Sequence, residues 1–186
     1  YRKSIYFDKK LSEPQNNLGS LYFDLSKYEE SIKCYKNSID INPNFFQAHY
    51  NLGIVYKNVG NFEEAKNHLN ESIRLSPYLC SAHRNLSLIT KYTHANKHFD
   101  LLKKIYKDNK INDEQKTEIS FSLGKAYEDI RKFDEAFNYY KVGNELRGRN
   151  ISFSIKKEKE EFENIKKIFN KETFLKFNKL NNHDST

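Results

Sequence analysis

Residues 46–79 read FQAHYNLGIVYKNVGNFEEAKNHLNESIRLSPYL, and this stretch decides the fold because its pattern recurs along the chain. A Leu-Gly pair, a tyrosine and a proline return at a spacing of 34 residues: Leu52-Gly53, Tyr56 and Pro77 repeat Leu18-Gly19, Tyr22 and Pro43. A fixed period of this length is typical of proteins built from stacked supersecondary units. The sequence therefore predicts an all-α array of helical hairpins.

The residue types within this unit have physical reasons. Gly53 on the first helix and Ala65 on the second let the two helices pack closely, and Tyr56 fills the gap between them. Gly60-Asn61 suits a tight turn between the helices. Pro77 ends the second helix because proline lacks the amide hydrogen that continues a helix.

The pattern returns once more in the C-terminal half, at Leu123-Gly124 with Tyr127. Gly53 and Gly124 are 71 residues apart, which is two periods and three extra residues. One unit with a three-residue insertion is therefore expected between them. Leu86-Ser87 takes the Leu-Gly position of that unit, whose second half is degenerate. Its remaining helical apolar stripe consists of Phe99, Leu102, Ile105 and Tyr106.

These residues resemble the consensus of the tetratricopeptide repeat family, and the resemblance implies a right-handed α-solenoid of helix–turn–helix repeats. The predicted segments, in chain order, are the second helix of a truncated preceding repeat at 1–11, repeats at 12–45 and 46–79, a degenerate repeat with an insertion at 80–116, a repeat at 117–150, a capping helix region at 151–177, and a linker or tail at 178–186. The chain begins at Tyr1 without methionine, which predicts a fragment or a processed product.

Composition agrees with thin cores shared between neighbouring units. The mean hydropathy is −0.89, yet 15% of the residues are aromatic, and a disordered chain would lack such aromatics. The sequence has no apolar run long enough for a membrane span and no signal pattern at its start. Cys34 and Cys80 are expected to be reduced, partly buried thiols, which predicts a cytoplasmic location.

The sequence predicts no catalytic, cofactor or metal site in this segment. It contains no Gly-rich phosphate loop, and neither cysteine has an evident His–Asp partner. His94 and His98 are spaced for one helix face, but no further ligands complete a metal set. His49 and His83 occupy equivalent repeat positions, and we expect them to serve packing.

Residues 80–186 carry a second resemblance, based on four segments: 123–129, 133–137, Gly143-Asn144 and the helix from Phe162 to Phe169. They are similar to the repeat region that precedes the catalytic domain of bacterial tetratricopeptide–sulfotransferase proteins. This resemblance implies a parent protein that is a sulfotransferase using 3′-phosphoadenylyl sulfate, with its catalytic domain after Thr186. It assigns no enzyme activity to the segment itself.

An asparagine series is the main candidate site. Asn17, Asn51 and Asn85 recur every 34 residues on first helices, and each side chain offers donors and an acceptor to an extended peptide backbone. The series resembles the asparagine ladder that binds peptide in the repeat array of O-linked N-acetylglucosamine transferase, although Ser122 replaces asparagine in the fourth unit. The other predicted groove positions are Asn16, Ser20, Tyr50, Ile54, Lys57, Arg84, Leu88, Lys91, Phe121 and Lys125.

The net charge of +7 is concentrated in one region, because residues 77–111 alone carry about +5. This excess fits a solvated face, an acidic peptide partner or nucleic acid, in that order of preference. We therefore predict a peptide-binding scaffold, the partner-recruiting region of a larger sulfotransferase. The alternatives are a stand-alone adaptor for complex assembly and a basic nucleic-acid-binding solenoid.

Overall fold

The computed structural model describes residues 11–150 and 155–168, and within these ranges it is all-helical. The helices are α1 Ser12–Asp24, α2 Tyr28–Ile41, α3 Phe46–Asn58, α4 Phe62–Leu75, α5 Cys80–Ile89, α6 Lys97–Lys107, α7 Asp113–Asp129, α8 Phe133–Asn150 and α9 Ile155–Ile168. The chain divides into two compact units, residues 1–148 and residues 149–186. The all-α prediction is confirmed.

In the hairpins of the first unit, the second helix packs directly against a glycine of the first helix. A Cβ added at Gly53 would lie 2.8 Å from Leu69 Cγ, and one added at Gly19 would lie 2.7 Å from the Tyr35 ring. Both partners come from the second helix of the same hairpin. Ser31 of α2 strengthens the contact at Gly19, since its hydroxyl donates to the Gly19 carbonyl over 2.8 Å. Glycine is therefore present because the second helix occupies the space of a side chain.

Helix ends follow the expected signals. The second helices α2 and α4 end at Ile41 and Leu75, each shortly before its proline. Acidic residues open both helices, where they favour the positive end of the helix dipole. Gly60 has φ +81° in the turn between α3 and α4. Ser26 and Arg131 adopt the same left-handed conformation in the equivalent turns, with φ 57° and 62°.

The apolar core consists of clusters that span neighbouring hairpins. Tyr35 of α2 packs with Leu52 and Val55 of α3, and Leu69 of α4 packs with Leu86 of α5. A further cluster joins α5, α6 and α7 through Cys80, Tyr92, Phe99, Leu102, Ile105, Ile119, Leu123 and Ala126. The expected thin, shared cores are thus present, and each hairpin depends on its neighbours for burial.

The third hairpin differs from the others. Its helices α5 and α6 are only 10 and 11 residues long, and residues 90–96 replace the short turn of the regular hairpins. The predicted stripe is confirmed on α6, where Phe99, Leu102 and Ile105 are buried. Ser87 stands where the other hairpins have glycine, and its hydroxyl bonds the Tyr92 hydroxyl over 2.8 Å.

A capping box starts α7 upstream of the repeat frame at residue 117. The Asn112 side chain accepts a hydrogen bond from the Gln115 amide at 2.8 Å, and the Gln115 side chain accepts one from the Asn112 amide at 3.1 Å. Gln115 Nε2 also donates to the Tyr78 carbonyl over 3.2 Å. The box therefore fixes the start of α7 and ties it to the connection before α5.

The second unit contains α9, on which Phe162, Ile165 and Ile168 are exposed. Its capping role stays a prediction. Phe169, the truncated repeat at residues 1–10 and the tail at 178–186 lie outside the described residues. None of the helices that the structure describes combines the length and apolar character needed to cross a membrane.

Candidate functional site

The helices α1, α3, α5 and α7 come first in their hairpins, and we call the surface they form the first-helix surface. The predicted asparagines lie on it in hydrogen-bonded contact with their neighbours. Asn51 Nδ2 donates to Asn16 Oδ1 over 2.9 Å, which joins α3 to α1. Asn16 is 7% exposed, and its own amide donates weakly to the exposed Asn17 at 3.4 Å. Asn16 is therefore the buried partner of Asn51, while Asn17 of the predicted series is exposed.

Asn85 is held more tightly than Asn51. Its amide donates to the Ser81 carbonyl of its own helix at 2.8 Å and to the Tyr50 hydroxyl at 3.4 Å. Its carbonyl oxygen accepts from Lys57 Nζ at 2.5 Å. The sequence-predicted residues Tyr50, Lys57 and Asn85 thus form one polar cluster between α3 and α5.

Positive charge accumulates beside this cluster. Burial lowers the pKa of Lys57, and the neighbouring Arg84 guanidinium acts in the same direction. Burial also lowers the pKa of Arg84, which Arg147 lowers further and Glu118 opposes. The Arg84 and Arg147 guanidinium carbons lie 5.5 and 4.8 Å from the centre of the Phe121 ring. The structure thereby adds Arg147 of α8 to the predicted residues.

The other two predicted cations are paired. Lys91 Nζ lies 2.9 Å from Asp129 Oδ1, and Lys125 bonds Asp129 Oδ2 and the Thr90 carbonyl. Asp129 also accepts the Tyr92 amide at 2.9 Å. Burial alone would raise the pKa of Asp129, but the hydrogen bonds from Lys125, Tyr92 and Lys91 outweigh it and lower the pKa. Lys91 and Lys125 therefore anchor the irregular third hairpin to α7.

An open cavity of about 360 Å³ lies beside these lysines. Its lining combines apolar and basic side chains: Phe62, Leu88, Ile89, Thr90, Lys91 and Lys125. Phe62 and Leu88 are 50% and 49% exposed, so the cavity offers accessible apolar contact next to charge. Such a surface suits the side chains of a peptide better than a reaction that must exclude water.

Two histidine pairs support the adjacent hairpins. His49 Nε2 lies 3.1 Å from the Pro43 carbonyl, and its Nδ1 lies 3.1 Å from His68 Nδ1. Because a carbonyl only accepts, His49 carries its proton on Nε2 and accepts one from His68. His83 repeats the arrangement with Pro77 and His98 over 2.9 Å each. The packing role expected for His49 and His83 is borne out by these buried contacts.

The second pair continues into a longer chain of hydrogen bonds. His98 Nδ1 lies 2.7 Å from the Tyr92 hydroxyl, which contacts Ser87 as described above. Burial lowers the pKa of His98 to about 3, with a smaller contribution from His83. His94 lies outside α6 in the preceding turn, so the predicted shared helix face of His94 and His98 is wrong. Among residues 11–150 and 155–168, no three His, Cys, Asp or Glu side chains cluster as metal ligands.

Both cysteines are buried, and neither forms a disulfide. Burial raises the pKa of the Cys80 thiol to about 11, with Glu118 adding to the effect. A thiol with a raised pKa is a poor nucleophile at neutral pH. Cys80 is accordingly a core residue of the cluster between α5, α6 and α7.

The repeat period carries no signal for several of the contacts that the structure shows. His68 and Asp129 were not singled out, yet both bond residues that were. A histidine pair cannot be read from the repeat period, because His68 and His98 are 30 residues apart while His49 and His83 are 34 apart. The contact of Phe121 with Arg147 follows from no repeat position either, because Phe121 lies on a first helix and Arg147 on a second helix.

Comparison with known families identifies the repeats. Residues 19–60 match a family model described as TPR repeat, and residues 46–79 match one described as tetratricopeptide repeat. Together they span residues 19–79, from within α1 to the end of the second hairpin, and confirm the predicted family over these residues. Neither match supports the sulfotransferase resemblance. No curated protein is significantly similar to the chain.

Solved structures show the same fold over most of the chain. YrrB, described as a TPR protein with an unusual peptide-binding site, matches with a TM-score of 0.63 and 20% identity, over 78% of this chain and 73% of its own. MamA from Desulfovibrio magneticus matches with 0.61 and 19%, over 80% and 82%. BtubC from P. vanneervenii matches with 0.63 and 14%, over 83% and 73%. These likenesses show an α-solenoid fold.

Proposed function

We propose that this chain, a tetratricopeptide repeat protein over residues 19–79, is a scaffold whose first-helix surface binds an extended peptide. The observation that carries the proposal is the pair Asn51 and Asn85, which lie half-buried at equivalent positions of neighbouring first helices. Their spacing follows the repeat, so a peptide along this surface would meet a similar amide at both of these units. The peptide-binding site of YrrB, a protein of similar fold, supports the same use.

The hydrogen-bond geometry leaves capacity for such a peptide. Asn51 Nδ2 uses one hydrogen for Asn16, and within the described residues its Oδ1 accepts no hydrogen bond. One donor and one acceptor of the same side chain therefore remain for a backbone carbonyl and amide. Asn85 uses its amide hydrogens for Ser81 and Tyr50, and its oxygen accepts from Lys57, so a peptide amide would share that oxygen with Lys57.

The basic excess of residues 77–111 favours an acidic peptide as the partner. Complementary charge on two partners increases their association rate and their specificity more than their affinity. Lys91 and Lys125 add less to this attraction than two unpaired lysines would, because Asp129 forms an ion pair with both.

Replacement of both asparagines tests the proposal. We expect Asn51→Ala with Asn85→Ala to weaken peptide binding at least about tenfold, since each lost backbone contact costs about 1 kcal/mol. The measurement is fluorescence anisotropy with labelled extended peptides. The matched control is Asn67→Ala with Asn144→Ala, on exposed positions of the second helices α4 and α8. Equal affinities of wild type, double variant and control would refute the asparagine series as a binding element.

A parent sulfotransferase is a second, separate proposal that rests on the resemblance of residues 80–186 alone. In it, the repeat surface recruits a substrate protein for a catalytic domain that follows Thr186. The reading frame of the gene decides this point. A Gly-rich phosphosulfate-binding loop within the residues after Thr186 would support the proposal, and its absence there would end it in favour of a stand-alone adaptor.

A further inference from the structure

Arg84, Phe121 and Arg147 form an arrangement that peptide binding along the asparagines does not use. Phe121 is 8% exposed, and its ring lies beneath two guanidinium groups from different helices, Arg84 of α5 and Arg147 of α8. Gly143 makes room for the ring, since a Cβ there would lie 3.1 Å from Phe121. Two cations are thus placed on one aromatic platform.

The cations near this platform repel one another. Arg84 lies close enough to Lys57 to lower the pKa of the Lys57 amine, and Arg147 lowers the pKa of Arg84. Within the part of the chain that the structure describes, neither arginine has a carboxylate at ion-pair distance. Glu118 attracts Arg84 only from farther away. Like charges brought together without a partner cost free energy, which a bound anion would offset.

The chemistry of these side chains specifies the anion. A guanidinium that stacks on an aromatic face keeps its in-plane N–H donors free, and their fork matches the two oxygens of a carboxylate. Lys57 adds a third donor group and already bonds Asn85, the next residue after Arg84. A peptide backbone at Asn85 would therefore bring a neighbouring side chain toward the platform.

We propose that Arg84 and Arg147, which lie over the Phe121 ring, form together with Lys57 near Arg84 a carboxylate-binding subsite that takes an aspartate or glutamate side chain of the bound peptide. This inference rests on the proposed peptide-binding function and assigns its partner a chemistry and a place. The subsite lies at the α5–α7–α8 end of the first-helix surface. It differs from the mere basic excess of residues 77–111, because Arg147 lies outside that region.

Two labelled peptides test the subsite: one of alternating glutamate and threonine, and one of alternating glutamine and threonine, both long enough to span two repeats. We expect Arg84→Gln with Arg147→Gln to weaken binding of the glutamate peptide about tenfold or more at physiological salt, and to leave the glutamine peptide unaffected. The control, Lys104→Gln with Lys141→Gln, removes the same net charge from exposed positions of α6 and α8. It should bind the glutamate peptide nearly as wild type does.

The exposed single variant Arg147→Gln keeps the test valid if the double variant folds poorly, and it should show part of the same loss. Equal losses in the double variant and its control would overturn the subsite in favour of diffuse attraction. Binding of the glutamine peptide that depends on Asn51 and Asn85, with no gain from glutamate, would overturn the subsite alone. If neither peptide binds wild type, the proposed function fails as well. A phosphoserine peptide that binds where the glutamate peptide does not would overturn the carboxylate assignment.

Discussion

Gly53 lies where α3 meets α4, and its surroundings have no room for a methyl group. The added Cβ would approach Leu69 Cγ to 2.8 Å and the Ala65 carbonyl oxygen to 3.3 Å, and Leu69 is fully buried. We expect Gly53→Ala to lower the free energy of unfolding by about 1 to 2 kcal/mol. Overpacking of about 1 to 3 kcal/mol outweighs the gain in helix propensity of up to about 1 kcal/mol.

Denaturant unfolding measures this change, and Gly148 provides the matched control. It also lies in a helix, α8, but a Cβ there meets nothing within 4 Å. Gly148→Ala should therefore leave stability unchanged or raise it slightly. If Gly53→Ala also raised stability, the close approach of α3 and α4 would be refuted.

The glycine positions were predictable, but their partners were only partly so. The sequence placed Tyr56 and Tyr127 between the helices of their hairpins, and both do stack on second-helix rings, those of His68 and Tyr139. The side chain that presses on Gly53 is instead Leu69. The repeat period reveals which positions are small, whereas the identity of the facing side chain depends on the crossing of two helices in space.

The helix α7 has a well-defined start, which its capping box provides. We expect Asn112→Ala to lower the free energy of unfolding by about 1 kcal/mol. The substitution removes the side-chain acceptor of the Gln115 amide and weakens the bond from the Asn112 amide to the Gln115 side chain. The loss would appear as a lower midpoint of thermal unfolding. Because Gln115 also bonds the Tyr78 carbonyl, part of the loss should come from the connection before α5.

Asn109→Ala is the control for the cap, since Asn109 is exposed in the preceding turn. The two asparagines differ in that only Asn112 bonds the first turn of α7. A midpoint that falls equally in both variants would mean that the turn as a whole, rather than the cap, stabilises the helix.

The regular hairpins could be predicted from the sequence, while the irregular one could not. The Leu-Gly-Tyr frame and the prolines locate α1 to α4 closely, since every signal there agrees. The third hairpin lacks both the glycine and the short turn, so its geometry depends on long-range contacts of Asp129 with Tyr92 and Lys91. No local rule indicates that an acid at the end of α7 holds a loop that ends 33 residues earlier, at Asn96.

The stability of the array depends on contacts between neighbouring hairpins, and the histidine pairs make this stability sensitive to pH. Each pair joins a first helix, a second helix and the proline carbonyl of the connection before them: His49 and His68 with Pro43, and His83 and His98 with Pro77. The two pairs belong to the adjacent second and third hairpins. Protonation of the accepting ring of a pair turns its Nδ1 from an acceptor into a donor and breaks the bond between the two rings.

Acid should therefore unfold the array. Burial lowers the pKa of His98 to about 3, and it also lowers the pKa values of His83 and His68. Below an unfolded-state pKa of about 6.5, the unfolded chain takes up protons that the folded chain does not. Each such histidine lowers the free energy of unfolding by up to about 1.4 kcal/mol per pH unit as the pH falls from that value toward its folded pKa. Above about pH 6.5 these histidines make their full contribution to the free energy of unfolding.

Urea unfolding between pH 7.5 and 5 measures this slope. His98 faces the neutral groups His83 and Tyr92. The charges of Glu64, Glu71 and Lys36 also affect the pKa of His68. We expect His98→Gln to be less stable than wild type at pH 7.5 but to lose less on acidification, because one proton-linked group is gone. His94→Gln, at an exposed position in the turn before α6, should follow the wild-type curve. An unchanged slope in His98→Gln would show that other groups, such as His68 and His83, govern acid unfolding in this range.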